Sequence, residues 1–195
     1  SCVNQSSVIL YCFEEKQSSF CCRDRRNINA YSAFYCIVEN KLNRLVVKYY
    51  LISGEASGDL HGSHLIAALK KQDSFAQFRA WGGDLMEKNG ATLVKHFSAL
   101  AYMGFWEVIS HLPTILKNIR LCKQDILNYS PDVIIYIDYP GFNLRIAQWA
   151  KTKSFKNHYY ISPQVWAWKE NKEQKMKQCL DALYVILPFE KPYFE

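Results

Sequence analysis

Val46-Val47-Lys48-Tyr49-Tyr50-Leu51-Ile52-Ser53-Gly54-Glu55-Ala56-Ser57-Gly58-Asp59 is the stretch on which the fold turns. Its first eight residues are mostly β-branched, aromatic or aliphatic and contain no breaker, which predicts a strand over Val46–Ser53. Two glycines then allow a sharp turn. Leu60 to Lys71 follows with apolar residues at helical spacing.

The same grammar repeats to the end of the chain. Strands are expected over Gln77–Trp81, Thr92–Lys95, Val133–Ile137, His158–Ile161 and Ala182–Leu187. Helices are expected over Leu85–Asn89, Trp106–Tyr129, Leu144–Lys153 and Glu170–Cys179, with Pro113 interrupting the long one or starting a turn. Strands alternating with helices give an α/β fold, a parallel sheet with helices on both faces. The run Val133-Ile-Ile-Tyr-Ile137 suits a strand buried on both sides.

Upstream of this pattern the chain reads differently. Residues 1–46 mix polar, aromatic and cysteine residues with no period of 2 or 3.6. We expect them to be an unpatterned leader outside the native fold, translated upstream sequence before an alternative start at Val46 or Val47. The patterned domain is then 47–195. Five of the seven cysteines fall in that leader, and no Cys-x-x-Cys pair exists, which argues against a zinc site. No apolar run is long enough to span a bilayer, and Ser1–Leu10 has no secretory pattern, so the thiols are expected to be reduced. The net charge of +6 favours an anionic partner without choosing among phosphate, nucleotide and lipid surface.

Four stretches are candidates for chemistry. Gly54-Glu55-Ala56-Ser57-Gly58-Asp59 opens a helix, where free N–H groups can meet an anion. The plain alternative is a tight turn with Ser57 or Asp59 as cap. Asp138 follows a strand, at the end that faces the ligand crevice in open α/β sheets, and is placed for general-base work. Its alternative is a cap for the next helix. Ser162-Pro163-Gln164-Val165-Trp166-Ala167-Trp168-Lys169 sets two tryptophans in a loop, for a ligand or for packing. Phe105 to Leu116 has more apolar residues than one narrow stripe holds, and Lys117, Arg120 and Lys123 follow. That is the pattern of a helix lying on a membrane surface, or of an ordinary core-facing helix.

Together these motifs resemble one family, lipid A disaccharide synthase, a GT-B glycosyltransferase built from two Rossmann-like domains. The resemblance is carried by Gly54–Asp59, Tyr102-Met103-Gly104-Phe105, Asp138-Tyr139-Pro140-Gly141-Phe142-Asn143, Ser162–Trp168 and Leu187-Pro188-Phe189-Glu190, in the family's order and spacing. It implies that the chain holds the N-terminal, acceptor-side domain and lacks the C-terminal donor domain. The fragment should then be inactive alone.

The implied reaction moves 2,3-diacylglucosamine from UDP to 2,3-diacylglucosamine 1-phosphate, with inversion to a β-1,6 linkage and release of UDP. No cofactor, metal or nucleic acid is implied. Asp138 matches the position proposed as catalytic base. Gly54, Glu55, Ser57, Gly58, Asp59, Met103, Gly104, Asn143, Ser162, Trp166 and Trp168 would border the substrates. Trp106, Val108, Ile109, Leu112, Ile115 and Leu116 would touch the membrane. The implied location is the cytoplasm, peripheral on the inner face of a Gram-negative inner membrane, with oligomeric state open. Two rivals remain at this point. A nucleotide-dependent oxidoreductase would want a glycine fingerprint that is absent here. A lipid- or sugar-phosphate-binding module would need no second domain.

Overall fold

The computed structural model describes residues 9–12, 46–99, 112–161 and 170–185. Its elements in chain order are β1 (Ile9–Cys12), β2 (Lys48–Ser53), α1 (Ala56–Gln72), β3 (Gln77–Gly82), α2 (Asp84–Lys88) and β4 (Ala91–His96). A short 3₁₀ turn, Phe97–Ala99, follows β4. Then come α3 (Leu112–Tyr129), β5 (Val133–Ile137), α4 (Pro140–Thr152), β6 (Lys156–Tyr160), α5 (Glu170–Cys179) and β7 (Ala182–Val185).

The strands lie in the order β1-β7-β6-β5-β2-β3-β4. Every pairing from β2 to β7 is parallel. The chain therefore winds from β2 outward through β3 to β4, then crosses back to β5 and winds the other way through β6 to β7. This is the Rossmann-like, doubly wound arrangement, and its switch point falls between β2 and β5. β1 pairs antiparallel with β7, Ile9 opposite Val185. No period of 2 in residues 1–46 signals a strand there. Those four residues depart from the expectation that the first 46 carry no element of the fold.

Alternating side chains of the central strands feed two cores. Tyr49, Leu51, Val133, Ile135 and Ile137 face α1 and α2, packing with Leu65, Ile66, Leu69 and Met86. Tyr50, Ile52, Ile134 and Tyr136 face the other helices, packing with Ile119, Cys122, Ile126, Phe142, Ile146 and Met176. All five residues of β5 are fully buried, as the apolar run requires. Each of its isoleucines contributes about 1.5–3 kcal/mol by leaving water.

Several polar groups in and beside the cores are paired, while Tyr129 Oη and Asn143 Oδ1 are buried without a hydrogen-bond partner among the described residues. Arg79 donates to both oxygens of Asp125, at 2.8 and 2.6 Å, and Tyr50 Oη donates to the same carboxylate at 2.7 Å. Trp81 Nε1 in turn donates to Tyr50 Oη at 2.8 Å. Burial alone would raise the Asp125 carboxyl; these donors hold it below the ordinary carboxylate value. Buried Asn157 accepts a hydrogen bond from Tyr136 Oη through Oδ1 and donates two through Nδ2 to the carbonyls of Ala147 and Cys179, joining β5, α4 and α5. His158 is buried beside Tyr184, and desolvation pushes its imidazole down to about 4. Cys122 and Cys179 are free and buried, and burial pushes the Cys179 thiol up to about 11.

Two helices start earlier than the sequence suggests. α4 begins at Pro140, not Leu144, because proline at the first helical position has the required φ and needs no N–H partner. α1 begins at Ala56, not Leu60, with Gly58 inside the helix. Pro113 starts no break: it is the second residue of α3, where an amide would have no partner.

Candidate active site at the switch point

The ends of β2 and β5 lie side by side, Ser53 opposite Ile137. The loops that leave these ends pack against each other where a side chain is missing at Gly54. A Cβ on Gly54 would sit 2.4 Å from the ring of Tyr139. A Cβ on Gly58 would sit 2.4 Å from Ser53 Oγ. Gly54 is thus a buried spacer that lets the two loops meet, and Gly58 makes room for Ser53 at the end of β2, while Glu55 and Ser57 between them are exposed.

Asp138 and Tyr139 are consecutive left-handed residues, φ 45° and 49°. Non-glycine residues adopt this region at a cost, more so for a bulky tyrosine, and persist there only when the surroundings hold them. The main-chain carbonyl of Asp138 supplies the hold. It accepts from Asn143 Nδ2 at 2.6 Å and from the hydroxyl of Tyr159. The Tyr139 carbonyl accepts from the Phe142 and Asn143 amides at 3.3 and 3.0 Å, starting α4, and its ring stacks on Phe142. The turn leaves the Asp138 residue partly exposed at the crevice while its backbone is fixed from beneath. Partial burial raises the Asp138 carboxyl above the ordinary value. The negative charge of the neighbouring Glu55 raises it further.

Glu55 is the N-cap of α1 but its side chain caps nothing. Its carboxylate instead accepts the Ser57 hydroxyl, and its charge acts on Asp138 nearby. The open floor of the site is therefore Glu55, Ser57, Asp138 and the first turn of α4. At Gly141 an added Cβ would meet nothing. No three His, Cys, Asp or Glu side chains converge to hold a metal ion among the described residues.

Two residues expected to border substrate have other work. Asp59 is 3% exposed, and its carboxylate accepts from the amides of Gly83, Leu85 and Met86 at 2.8, 3.1 and 3.1 Å. It caps α2, a different helix from the one it sits on. Asn143 is wholly buried and aims its amide at the carbonyls of Asp138, Ile52 and Ile137, so it anchors the turn. Tyr159, which shares that task, was not read from the sequence. Its position in β6 next but one to Asn157 on the buried face was the available signal.

Met103, Gly104, Ser162, Trp166 and Trp168 lie outside the described residues, as do Trp106, Val108 and Ile109 and the side chain of Leu112. Of the expected membrane residues, Ile115 packs partly on the core and Leu116 is 45% exposed. Leu121 and Leu127, not singled out beforehand, also face outward. Lys117 and Arg120 are exposed with them, whereas Lys123 lies over the Trp149 ring at 5.3 Å.

Comparison with known proteins places this arrangement. A family model described as lipid-A-disaccharide synthetase matches residues 49–195. Lipid-A-disaccharide synthase of Trichlorobacter lovleyi is 40% identical over 145 residues, 74% of this chain and 38% of the relative. The enzyme of the same name from Nitrosococcus oceani is 41% identical over 145 residues, with the same coverage, 74% and 38%. That of Geobacter sulfurreducens is 36% identical over 159 residues, 82% of this chain and 40% of the relative. Among solved structures, UDP-GlcNAc 2-epimerase from Neisseria meningitidis bound to UDP-GlcNAc superposes with a TM-score of 0.45 and 7% identity. That match covers 67% of this chain and 37% of the other, too weak a likeness to argue from. The chain spans about two fifths of the length of the curated relatives it matches. With the family's match running from the second residue of β2 to Glu195, through both loops of the switch point, the chain belongs to the lipid-A-disaccharide synthetase family.

Proposed function

We propose that the full-length protein is an inverting glycosyltransferase of lipid A synthesis, with a GT-B architecture of which this chain is the acceptor-side domain. It joins 2,3-diacylglucosamine from its UDP donor to 2,3-diacylglucosamine 1-phosphate through a β-1,6 bond. The observation that carries the reading is Asp138: a partly exposed carboxylate on a backbone-fixed turn at the carboxyl end of β5, beside the switch point. A base in that position takes the proton of the acceptor 6-hydroxyl. The alkoxide oxygen bonds to the anomeric carbon as the carbon–phosphate oxygen bond breaks, and UDP leaves with the electron pair. The partial burial that raises the Asp138 carboxyl makes it a stronger base than a solvated aspartate.

The test is product analysis. Full-length enzyme given both substrates should release UDP and a β-1,6 disaccharide, and residues 47–195 alone should release none. Formation of any other linkage, or turnover by this piece alone, refutes the reading.

The proposed location is the inner face of a Gram-negative inner membrane, held peripherally. No helix among the described residues is long and apolar enough to cross a membrane. Support comes from the outer face of α3, where Leu116, Leu121 and Leu127 are exposed beside Lys117 and Arg120. Exposed leucines flanking cations on this helix suit anionic headgroups, at about 1 kcal/mol per cation near the surface. Replacing Leu116, Leu121 and Leu127 by Ser in the full-length enzyme should lower its co-sedimentation with anionic vesicles and leave its melting curve in place. Unchanged sedimentation defeats the membrane reading, and a collapsed melting curve makes these leucines structural.

A further inference from the structure

We propose that Lys95 binds a phosphate group of a substrate, holding the ligand at one end of a crevice whose other end is Asp138. The inference rests on the reading of the protein as a transferase acting on sugar phosphates. It starts from an irregularity in the sheet. β4 runs parallel to β3 with Leu93 opposite Ala80, and the next pair is Lys95 opposite Trp81, so Val94 is an extra residue. In a regular strand, neighbouring side chains face opposite ways. A bulge sets two residues against one and re-aims a side chain, and bulges are frequent beside active sites. Here Val94 packs on the core to which Trp81 belongs, and Lys95 places its ammonium over the Trp81 ring, 5.8 Å from the centroid. Lys95 Nζ donates to Oδ1 of Asn118, a residue of α3 only 3% exposed, at 2.6 Å. From Trp81 a row of rings leads to the base: Trp81 lies 5.7 Å from Phe142, which stacks at 5.6 Å on Tyr139, the neighbour of Asp138. Lys95 is the last residue but one of β4, at the carboxyl end of the sheet, where ligands of open α/β folds bind.

The charge of Lys95 is not balanced locally. The side chain is half-buried, and the groups that hold it are an amide oxygen and an indole ring, both neutral. The ion pairs among the described residues are Arg79–Asp125, His96–Asp84 and Lys151–Asp181, none of which includes Lys95. A cation partly withdrawn from water is costly until an anion joins it. An ammonium has three donors; Asn118 takes one, and the others can turn to a ligand. Phosphate brings both the charge and several acceptor oxygens. The acceptor carries its reacting hydroxyl and its 1-phosphate on opposite sides of the ring oxygen. With the hydroxyl at Asp138, the phosphate is left to a second contact. The donor diphosphate is the other source of the same chemistry. An inward lysine on a bulged edge strand also blocks pairing with another chain, a role that involves no substrate.

The experiment is steady-state kinetics of full-length enzyme carrying Lys95→Met, with each substrate varied in turn. Methionine keeps an unbranched stem over Trp81 and removes the charge. A phosphate held alike in the ground and transition states sets KM and not kcat. The acceptor KM should therefore rise about ten-fold, with kcat within about two-fold of wild type. A rise confined to the donor KM upholds the phosphate contact and assigns it to the diphosphate. Lys95→Arg, which keeps the charge, should restore most of the lost affinity. Two unmoved KM values overturn the inference, and self-association of that variant then makes Lys95 a guard of the sheet edge. If Lys95→Met does not fold, Asn118→Asp decides. Its carboxylate neutralises Lys95 from within, so KM should rise with no fall in melting temperature, and an unmoved KM there overturns the inference equally. The reading of the reaction fails separately, if wild-type enzyme forms no disaccharide. Glucosamine 1-phosphate then tests Lys95 alone: titrated into the full-length protein it should shift the carbon-13 signal of the Lys95 ε-carbon, and an unshifted signal overturns the phosphate contact.

Discussion

Asp138→Asn in the full-length enzyme is expected to lower kcat by about 10²–10⁴-fold with little change in KM, because asparagine has the shape of aspartate and cannot take up the acceptor's proton. The turn should survive the substitution. Asparagine tolerates the left-handed region as aspartate does, and the contacts that pin residue 138 run through its main-chain carbonyl to Asn143 and Tyr159. Stability should not fall either. Burial and Glu55 raise the Asp138 carboxyl in the fold. A group raised in this way favours the native state below its unfolded value and loses that contribution as pH rises through its folded value. At neutral pH the native protein therefore carries a charge it disfavours, and a neutral amide removes it. Kinetics alongside melting curves at neutral pH check both halves. Retained turnover removes the catalytic role; a rise in KM larger than the fall in kcat makes Asp138 a binding residue.

What could be read in advance follows from how local each signal is. Val133–Ile137 was placed to the residue because a five-residue apolar run between Pro131 and Asp138 has one outcome in an α/β chain: a strand buried on both faces. Its position also fixed Asp138 at a strand end without any tertiary knowledge. The starts of α1 and α4 were misplaced for the opposite reason. Gly58-Asp59 and Pro140-Gly141 look like turns, yet Gly58 lies inside a helix, where a glycine is needed because Ser53 occupies its side-chain space, and Pro140 is a first helical residue. The meeting of Gly54 with the Tyr139 ring depends on the order of β2 and β5 in the sheet, which no local pattern encodes. β1 is hidden likewise, since an antiparallel edge strand is defined by its partner.

Asp59, expected at the substrate, is held in the fold by three backbone amides. Asp59→Ala should lower stability by about 3 kcal/mol, because three buried or half-buried amides lose a carboxylate acceptor that each hydrogen bond makes worth about 1.5–3 kcal/mol. The loss is not the sum of three such bonds, since the α2 loop can relax toward water. In a domain of this size it corresponds to a fall in melting temperature of roughly 10 °C. The β3–α2 turn is the part that loosens, as Gly83, Leu85 and Met86 are the residues released. Met86 is fully buried and would occupy the side-chain space of both Gly62 and Gly82, so α1 and β3 feel the change as well. Asp59→Asn keeps one acceptor oxygen and should fall between wild type and alanine. Thermal melts of the three proteins, with KM for the acceptor measured below the melting range, decide the matter. A capping residue moves the melting temperature and leaves KM in place; a ligand-binding residue raises KM in a protein that melts as before.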